Sequence, residues 1–296
     1  MSVNVPTHFT IEYSSQVRLL LQERGSKLRP FVTSGTHTGK QASPVNQIGS
    51  IEMQTPAGRF APMGRVDAPF ARRWVFPRDR ELPQQLDKFD MLRLIEDLKG
   101  PYAENAALAA GRYFDDLIIE AALGDAKTGE TGTGTETFDT TNFSIAAAFG
   151  AAGEVGLTVA KLIEAQRIFM NANVDIEAEQ PTVVISPKQH ANLLNEIEVV
   201  STDFNMRPVL GTDGMVRSFL GMNFVVSNRL DLVNTDDRAC FAFVKSGIHL
   251  GIWDDVSSRV DERTDLSSIP WQLYTKVTAG ATRLEQGRVI RILCDE

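Results

Sequence analysis

Pro101-Tyr-Ala-Glu-Asn-Ala-Ala-Leu-Ala-Ala-Gly-Arg-Tyr-Phe-Asp-Asp-Leu-Ile-Ile-Glu-Ala-Ala-Leu-Gly124 is the stretch on which the fold turns. Its spacing predicts one long helix over Pro101 to Leu123. Leu108, Tyr113, Phe114, Leu117, Ile118 and Ala121 supply apolar faces, and Arg112, Asp115, Asp116 and Glu120 supply the polar one. Pro101 suits the first turn, where a missing N–H costs nothing, and Gly124 is placed to stop the helix. At 1.5 Å per residue the helix is about 30 Å long or slightly more, enough to span a domain.

On the C-terminal side, Gly124 to Thr141 is rich in Gly and Thr and poor in apolar residues, which predicts a flexible loop. A second helix is expected over Val159 to Asn171, capped by Thr158, with Leu162, Ile163, Ala165, Ile168 and Phe169 facing a core. The period then changes. Pro181 to Ile185 predicts a short β-branched strand, and Ser186-Pro-Lys-Gln189 opens a helix with the pattern of a capping box. Phe224 to Val226 and Cys240 to Val244 predict strands joined by a polar turn through Asn234, Asp236 and Asp237. Ile248 to Trp253, Leu273 to Ala279 and Arg288 to Leu293 predict further strands, so the fold class is α+β.

On the N-terminal side, a short helix is expected over Tyr13 to Gln22, ending near Gly25. Seven prolines and five glycines then punctuate the stretch from Pro30 to Pro83. Ile51 and Met53 alternate with polar residues, as do Trp74 and Phe76, and Thr55-Pro-Ala-Gly58 lies between them as a turn signal. A long two-stranded loop is the expectation. Phe60, Phe70, Trp74, Val75 and Phe76 make the segment too apolar for a solvated linker. Charge divides the chain at the same place. Residues 1–80 carry eleven Lys and Arg against five Asp and Glu, whereas residues 81–136 carry five against twelve. A basic extended segment before an acidic helical one suggests that the first part of one copy lies on the second part of another.

Composition bounds the function. With 296 residues, 43% of them hydrophobic, the chain can bury a substantial core. No apolar run approaches the roughly 20 residues of a membrane helix. The first ten residues lack the pattern of a secretory leader, so the cytoplasm is the expected compartment. A net charge of −8 argues against a general electrostatic grip on nucleic acid, and any such contact should be local and weak. Cys240 and Cys294 are expected as reduced, buried thiols.

The search for chemistry is negative. His8, His37, His190 and His249 are scattered, without the spacing of a metal site. No serine sits in a nucleophile elbow. Gly35-Thr-His-Thr-Gly39-Lys40-Gln41 is one residue too short for a phosphate loop and has Gln41 where a Ser or Thr would hold magnesium. Gly129, Gly132 and Gly134 miss the dinucleotide spacing. No catalytic, cofactor-binding or metal-binding residue is assigned, and no cofactor is expected. The informative cluster is Arg59, Arg65, Arg72, Arg73, Arg78 and Arg80, interleaved with Trp74 and Phe76. Such a cluster could stack on single-stranded bases. Pairing with carboxylates such as Asp115, Asp116 and Glu120 of a neighbouring copy fits better, because the acidic counterpart lies in the same chain.

The order of these elements resembles the major capsid proteins of tailed bacteriophages, those with the Hong Kong 97-type fold. The resemblance rests on Tyr13-Ser-Ser-Gln-Val-Arg-Leu-Leu-Leu-Gln22, Gly25-Ser-Lys-Leu-Arg29, Gly39-Lys-Gln-Ala42, Arg72-Arg-Trp-Val75, Pro101-Tyr-Ala-Glu-Asn105, Asp115-Asp-Leu-Ile-Ile119 and Gly124-Asp-Ala-Lys-Thr-Gly129. It implies an N-terminal arm (1–40), an extended loop (41–85), a peripheral domain on the spine helix (86–155), an axial domain (156–255) and strands returning to the peripheral domain (256–296). It further implies a structural protein of the virion, assembled in the host cytoplasm. Hexamers and pentamers would close an icosahedral shell around double-stranded DNA, with weak non-specific DNA contact. Scaffolding, portal and decoration proteins would be separate partners, and no membrane is involved. Lys40 is the only lysine between Lys27 and Lys88, and no crosslink is assigned to it. Two alternatives stand beside this reading. One is a nanocompartment shell enclosing a protein cargo; the other is a soluble enzyme binding a phosphorylated ligand through a Gly-rich loop at Gly35 or Gly129.

Overall fold

The computed structural model describes residues 22–23, 25–39, 42–55, 58–59, 62, 64–87, 99–200, 214–234, 236–267 and 269–296. The short helix expected over Tyr13 to Gln22 lies, apart from Gln22, outside the described residues.

The long helix, α1, runs over Lys99–Leu123. Its buried face carries Ala106, Ala110, Phe114, Leu117, Ile118 and Ala122. Gly124 ends it, with its N–H donating to the Glu120 carbonyl at 2.8 Å. The last carbonyls, which have no partner inside a helix, are met from elsewhere: Arg283 donates to the Ala122 oxygen at 3.0 Å and to the Gly124 oxygen at 2.7 Å. Burial pushes that guanidinium down to about 10, and the face of Phe138 covers it at 5.1 Å.

The helix packs across a four-stranded sheet. Its strands are β1 (Thr33–Thr36), β4 (Arg78–Leu86), β12 (Ile248–Glu262) and β13 (Trp271–Arg283), in the order β1-β12-β13-β4. β1 joins β12 in parallel, and the other pairings are antiparallel. Strand β4 was not expected, because Pro83 reads as a breaker. At a sheet edge proline is tolerated, since no partner needs its N–H, and Pro83 sits opposite Tyr274 with only β13 beside it.

The arm lies along α1. Gln22 donates to Asn105 at 3.1 Å, and Arg112 donates to Gln22 at 2.7 Å. A Cβ on Gly111 would stand 2.5 Å from the Gly25 carbonyl carbon, so only glycine lets the two backbones come this close.

A six-stranded sheet forms the second unit, with β7 (Ser144–Ile145), β8 (Thr182–Ile185), β9 (Ser218–Phe219), β10 (Met222–Val226), β11 (Asp237–Phe243) and β14 (Val289–Asp295) in the order β7-β14-β11-β8-β10-β9. Every residue of β8 is buried, as befits a strand covered on both faces. Helix α2 (Val159–Asn171) begins at Thr158, whose side chain accepts from the Lys161 N–H as expected. Helix α3 (Pro187–Asn195) begins at Ser186, which accepts from the Gln189 N–H at 3.3 Å. The reciprocal half of the capping box is not formed. The Gln189 side chain instead accepts from the Leu157 N–H at 2.7 Å and donates to the Asp295 carbonyl at 2.9 Å.

Three points of topology bear on the remaining expectations. Strands β10 and β11 are not a hairpin, because β8 lies between them and the polar turn carries the chain across it. The expected boundary between 255 and 256 falls inside β12. Of the two strands expected to return together, β13 joins the helix-backed sheet whereas β14 pairs with β11 in the six-stranded one. That pairing brings Cys240 and Cys294 onto one face as free, buried thiols. The Lys161 ammonium, also buried, donates to the carbonyls of Val155 and Leu293 at 2.7 and 2.9 Å.

The third sheet is small. It consists of β2 (Ser43–Ile48), β3 (Phe70–Val75), β5 (Ala126–Thr128) and β6 (Gly134–Glu136), in that order. The two-stranded loop is present, with Ser43 opposite Val75 and Ile48 opposite Phe70. Ile51 and Met53 lie beyond the paired part, and Pro56 and Ala57 of the expected turn lie outside the described residues. The stretch expected as a flexible loop holds the β5–β6 hairpin instead. Three-residue strands are too short to show a period, and what orders them is β3 alongside.

Candidate assembly surface

The β2–β3 hairpin and the acidic face of α1 are the regions singled out by charge, and their side chains divide into two groups. At the base of the hairpin the arginines find partners within the subunit. Arg73 pairs with Glu136 and also donates to the Leu284 carbonyl at 2.8 Å. That guanidinium first, with Gln286 as a lesser donor, holds the Glu136 carboxyl below its ordinary value. Arg78 makes two hydrogen bonds to Glu120, one of 2.7 Å, across a pair more than half exposed on both sides. Arg72 donates to Asn46 at 2.8 Å and lies 5.8 Å from the Trp74 ring, while Trp74 donates its indole N–H to the Gly129 carbonyl at 2.7 Å. Arg80 lies over the face of Tyr113 at 5.7 Å.

The helix carboxylates are engaged in the same way. Asp115, which is 1% exposed, accepts from the Ser26 hydroxyl at 2.6 Å and from the Lys27 and Leu28 N–H groups at 3.0 Å each. It therefore caps the arm rather than facing outward. Asp116 makes two hydrogen bonds to Arg229. Part of the charge complementarity read from the sequence is thus satisfied inside one subunit, by Arg73–Glu136 and Arg78–Glu120.

Toward the tip the picture reverses. Ile48, Ile51, Met53 and Phe70 are 71%, 62%, 103% and 78% exposed. Arg59 is exposed, and Arg65 pairs locally with Asp67 at 2.7 Å. Phe76, at the other end of β3, is 44% exposed. Large exposed apolar side chains grouped at one end of a hairpin are the mark of a surface meant to be covered. The sequence reading took Ile51 and Met53 for paired strand, and only the register shows that they overhang it.

The glycine motifs fall in different settings. Gly35 lies in β1, Lys40 and Gln41 lie outside the described residues, and Gly129 turns the β5–β6 hairpin under Trp74. Among the described residues no three His, Cys, Asp or Glu are grouped to hold a metal, and no helix is long and apolar enough to cross a membrane. His190 accepts from the Val216 N–H at 3.2 Å, a packing role.

A long helix laid across a four-stranded mixed sheet, a six-stranded sheet that takes in the last strand, and the β2–β3 hairpin make up the Hong Kong 97-type capsid fold. The family described as phage capsid protein matches residues 5–296, and the chain belongs to that family. Solved capsids of the same fold include that of cyanophage P-SCSP1u, with a TM-score of 0.74 at 16% identity over 98% of this chain and 94% of that one. The capsid of Ralstonia phage GP4 superposes with a TM-score of 0.70 at 14% identity over 100% and 97% of the two chains. Mycobacterium phage Che8 gives 0.68 at 14% identity over 97% of each. No curated protein sequence matches the chain. The chain is a phage capsid protein, a structural component of the virion shell.

Proposed function

We propose that this subunit forms hexamers and pentamers that close an icosahedral shell around double-stranded DNA, with the β2–β3 tip of each copy lying on its neighbour. The exposed apolar tip carries this reading. Burying side chains of the size of Ile48, Ile51, Met53 and Phe70 stabilises by about 1.5–3 kcal/mol each. Exposed ion pairs give only about 0–1 kcal/mol, so apolar burial repeated by symmetry supplies most of the cohesion. Arg59, Arg65, Arg72 and Arg80 then set register at the rim, together with Trp74 and Phe76.

In this reading the helix-backed sheet is the peripheral domain and the six-stranded unit is the axial one. Assembly takes place in the host cytoplasm, with scaffolding, portal and decoration proteins as separate chains. The net charge of −8 fits weak, non-specific contact with the packaged DNA. Nuclease-treated particles from infected cells should release double-stranded DNA of uniform length. Particles containing a single enzyme and no DNA would instead establish the nanocompartment alternative.

A further inference from the structure

His37 and His249 are 212 residues apart in sequence, yet their Nε2 atoms meet at 3.0 Å. The rings are edge to face, with centroids 5.3 Å apart, and Trp253 lies 5.0 Å from His37. A seat has been made for them. Gly35 and Gly251 are register partners on β1 and β12, and a Cβ on either would collide with an imidazole, at 2.8 Å from His249 and 2.6 Å from His37. Two glycines side by side in a strand pair weaken a sheet, so their presence under two rings marks a fitted contact.

The contact sits at a mechanically sensitive place. β1 has four residues, lies at the sheet edge and has β12 as its strand neighbour. It directly follows the arm segment that α1 holds through Asp115. We propose that the His37–His249 pair is a proton-operated latch that fastens β1 to the sheet edge near neutral pH and releases it, with the arm joint, on acidification. As neutral rings the two share one N–H···N hydrogen bond, one donating and one accepting. One added proton still leaves a donor and an acceptor; two place positive charges in contact and remove the acceptor.

Among the described residues, burial and the neighbouring ring are what act on the two imidazoles, and no carboxylate offsets that repulsion. The register partners of His249 are Thr33 on β1 and Thr282 on β13, and Trp253 lies against His37; none is ionisable near neutrality. The charges of adjoining segments are directed elsewhere: Asp254 to Lys276, Asp255 to Arg29, Arg283 to the end of α1 and Arg78 to Glu120. The Lys245 side chain is exposed. Burial holds both imidazoles below their ordinary value, and for His249 the neighbouring ring adds to this. A released imidazole titrates at about 6.5. The released form therefore takes up more protons as pH falls below that value, and the equilibrium moves from latched to open.

Hydrogen exchange of the full-length chain between pH 7.5 and 5.5, corrected for the intrinsic rate, tests this. Peptides covering Thr33 to His37 should lose protection at least tenfold while peptides of β13 hold theirs. His37→Gln, at the half-buried position, should abolish the pH dependence; His249→Asn tests the same point from the other strand. Constant protection of β1 across this range, or an unchanged pH dependence in a folded variant, overturns the proposal.

Discussion

Replacing Asp115 by Ala should detach the arm without unfolding the protein. The carboxylate is 1% exposed and accepts three hydrogen bonds, from the Ser26 hydroxyl and the Lys27 and Leu28 N–H groups. A buried donor left without a partner costs about 1–3 kcal/mol. The serine hydroxyl can turn to water, so two orphaned backbone donors set the cost at about 2–6 kcal/mol. That cost falls on the arm, because Phe114, Leu117 and Ile118 of α1 remain packed in the core. Trypsin provides the assay, since the Lys27–Leu28 bond lies within the released segment. Cleavage there should accelerate about 30-fold or more while helix content by circular dichroism stays unchanged. Asp115→Asn should fall between wild type and Ala, because an amide retains one acceptor but turns a donor toward a backbone N–H. Cleavage at the wild-type rate in the Ala variant would refute the capping role.

Two further outcomes follow from the same geometry. Arg283→Met removes the donors that satisfy the end of α1 and should destabilise the chain by about 2–4 kcal/mol in denaturant titration; a shift within 0.5 kcal/mol would show that water replaces the guanidinium freely. The Arg73–Glu136 pair should make stability depend on acid pH. The Glu136 carboxyl is held low in the folded chain, so its contribution is full above the ordinary Glu value of about 4.3 and fades as pH falls through the folded value. Glu136→Gln should flatten that part of the pH–stability curve, and an unchanged curve would count against the pair.

What the sequence disclosed was local. The spine helix, α2 with its Thr158 cap and the Ser186 start of α3 each declare themselves within a few residues, through a 3.6-residue period and a capping side chain. Strand β4 and the β5–β6 hairpin did not, because their order comes from β13 and β3, remote in sequence. The candidate surface was half legible. Charge segregation located the hairpin and α1, but it could not distinguish arginines that pair at home, such as Arg73 and Arg78, from those near the tip. Asp115 was chosen for its charge and proved to be a buried cap for residues nearly ninety positions away. The two histidines seemed unrelated for the same reason: only the parallel β1–β12 register brings them together.

The central claim is that the apolar hairpin tip of one subunit is covered by the next. The double variant Ile51→Asp, Met53→Asp alters two side chains that are 62% and 103% exposed in the subunit, so folding should be untouched. Each loses about 1.5–3 kcal/mol of burial at the contact, which together weakens association by about 10²–10⁴. Negative-stain imaging of the expressed variant beside wild type is the most direct measurement. The account predicts shells from the wild type and only folded, unassembled subunits from the variant. Intact shells from the variant at wild-type yield would contradict it.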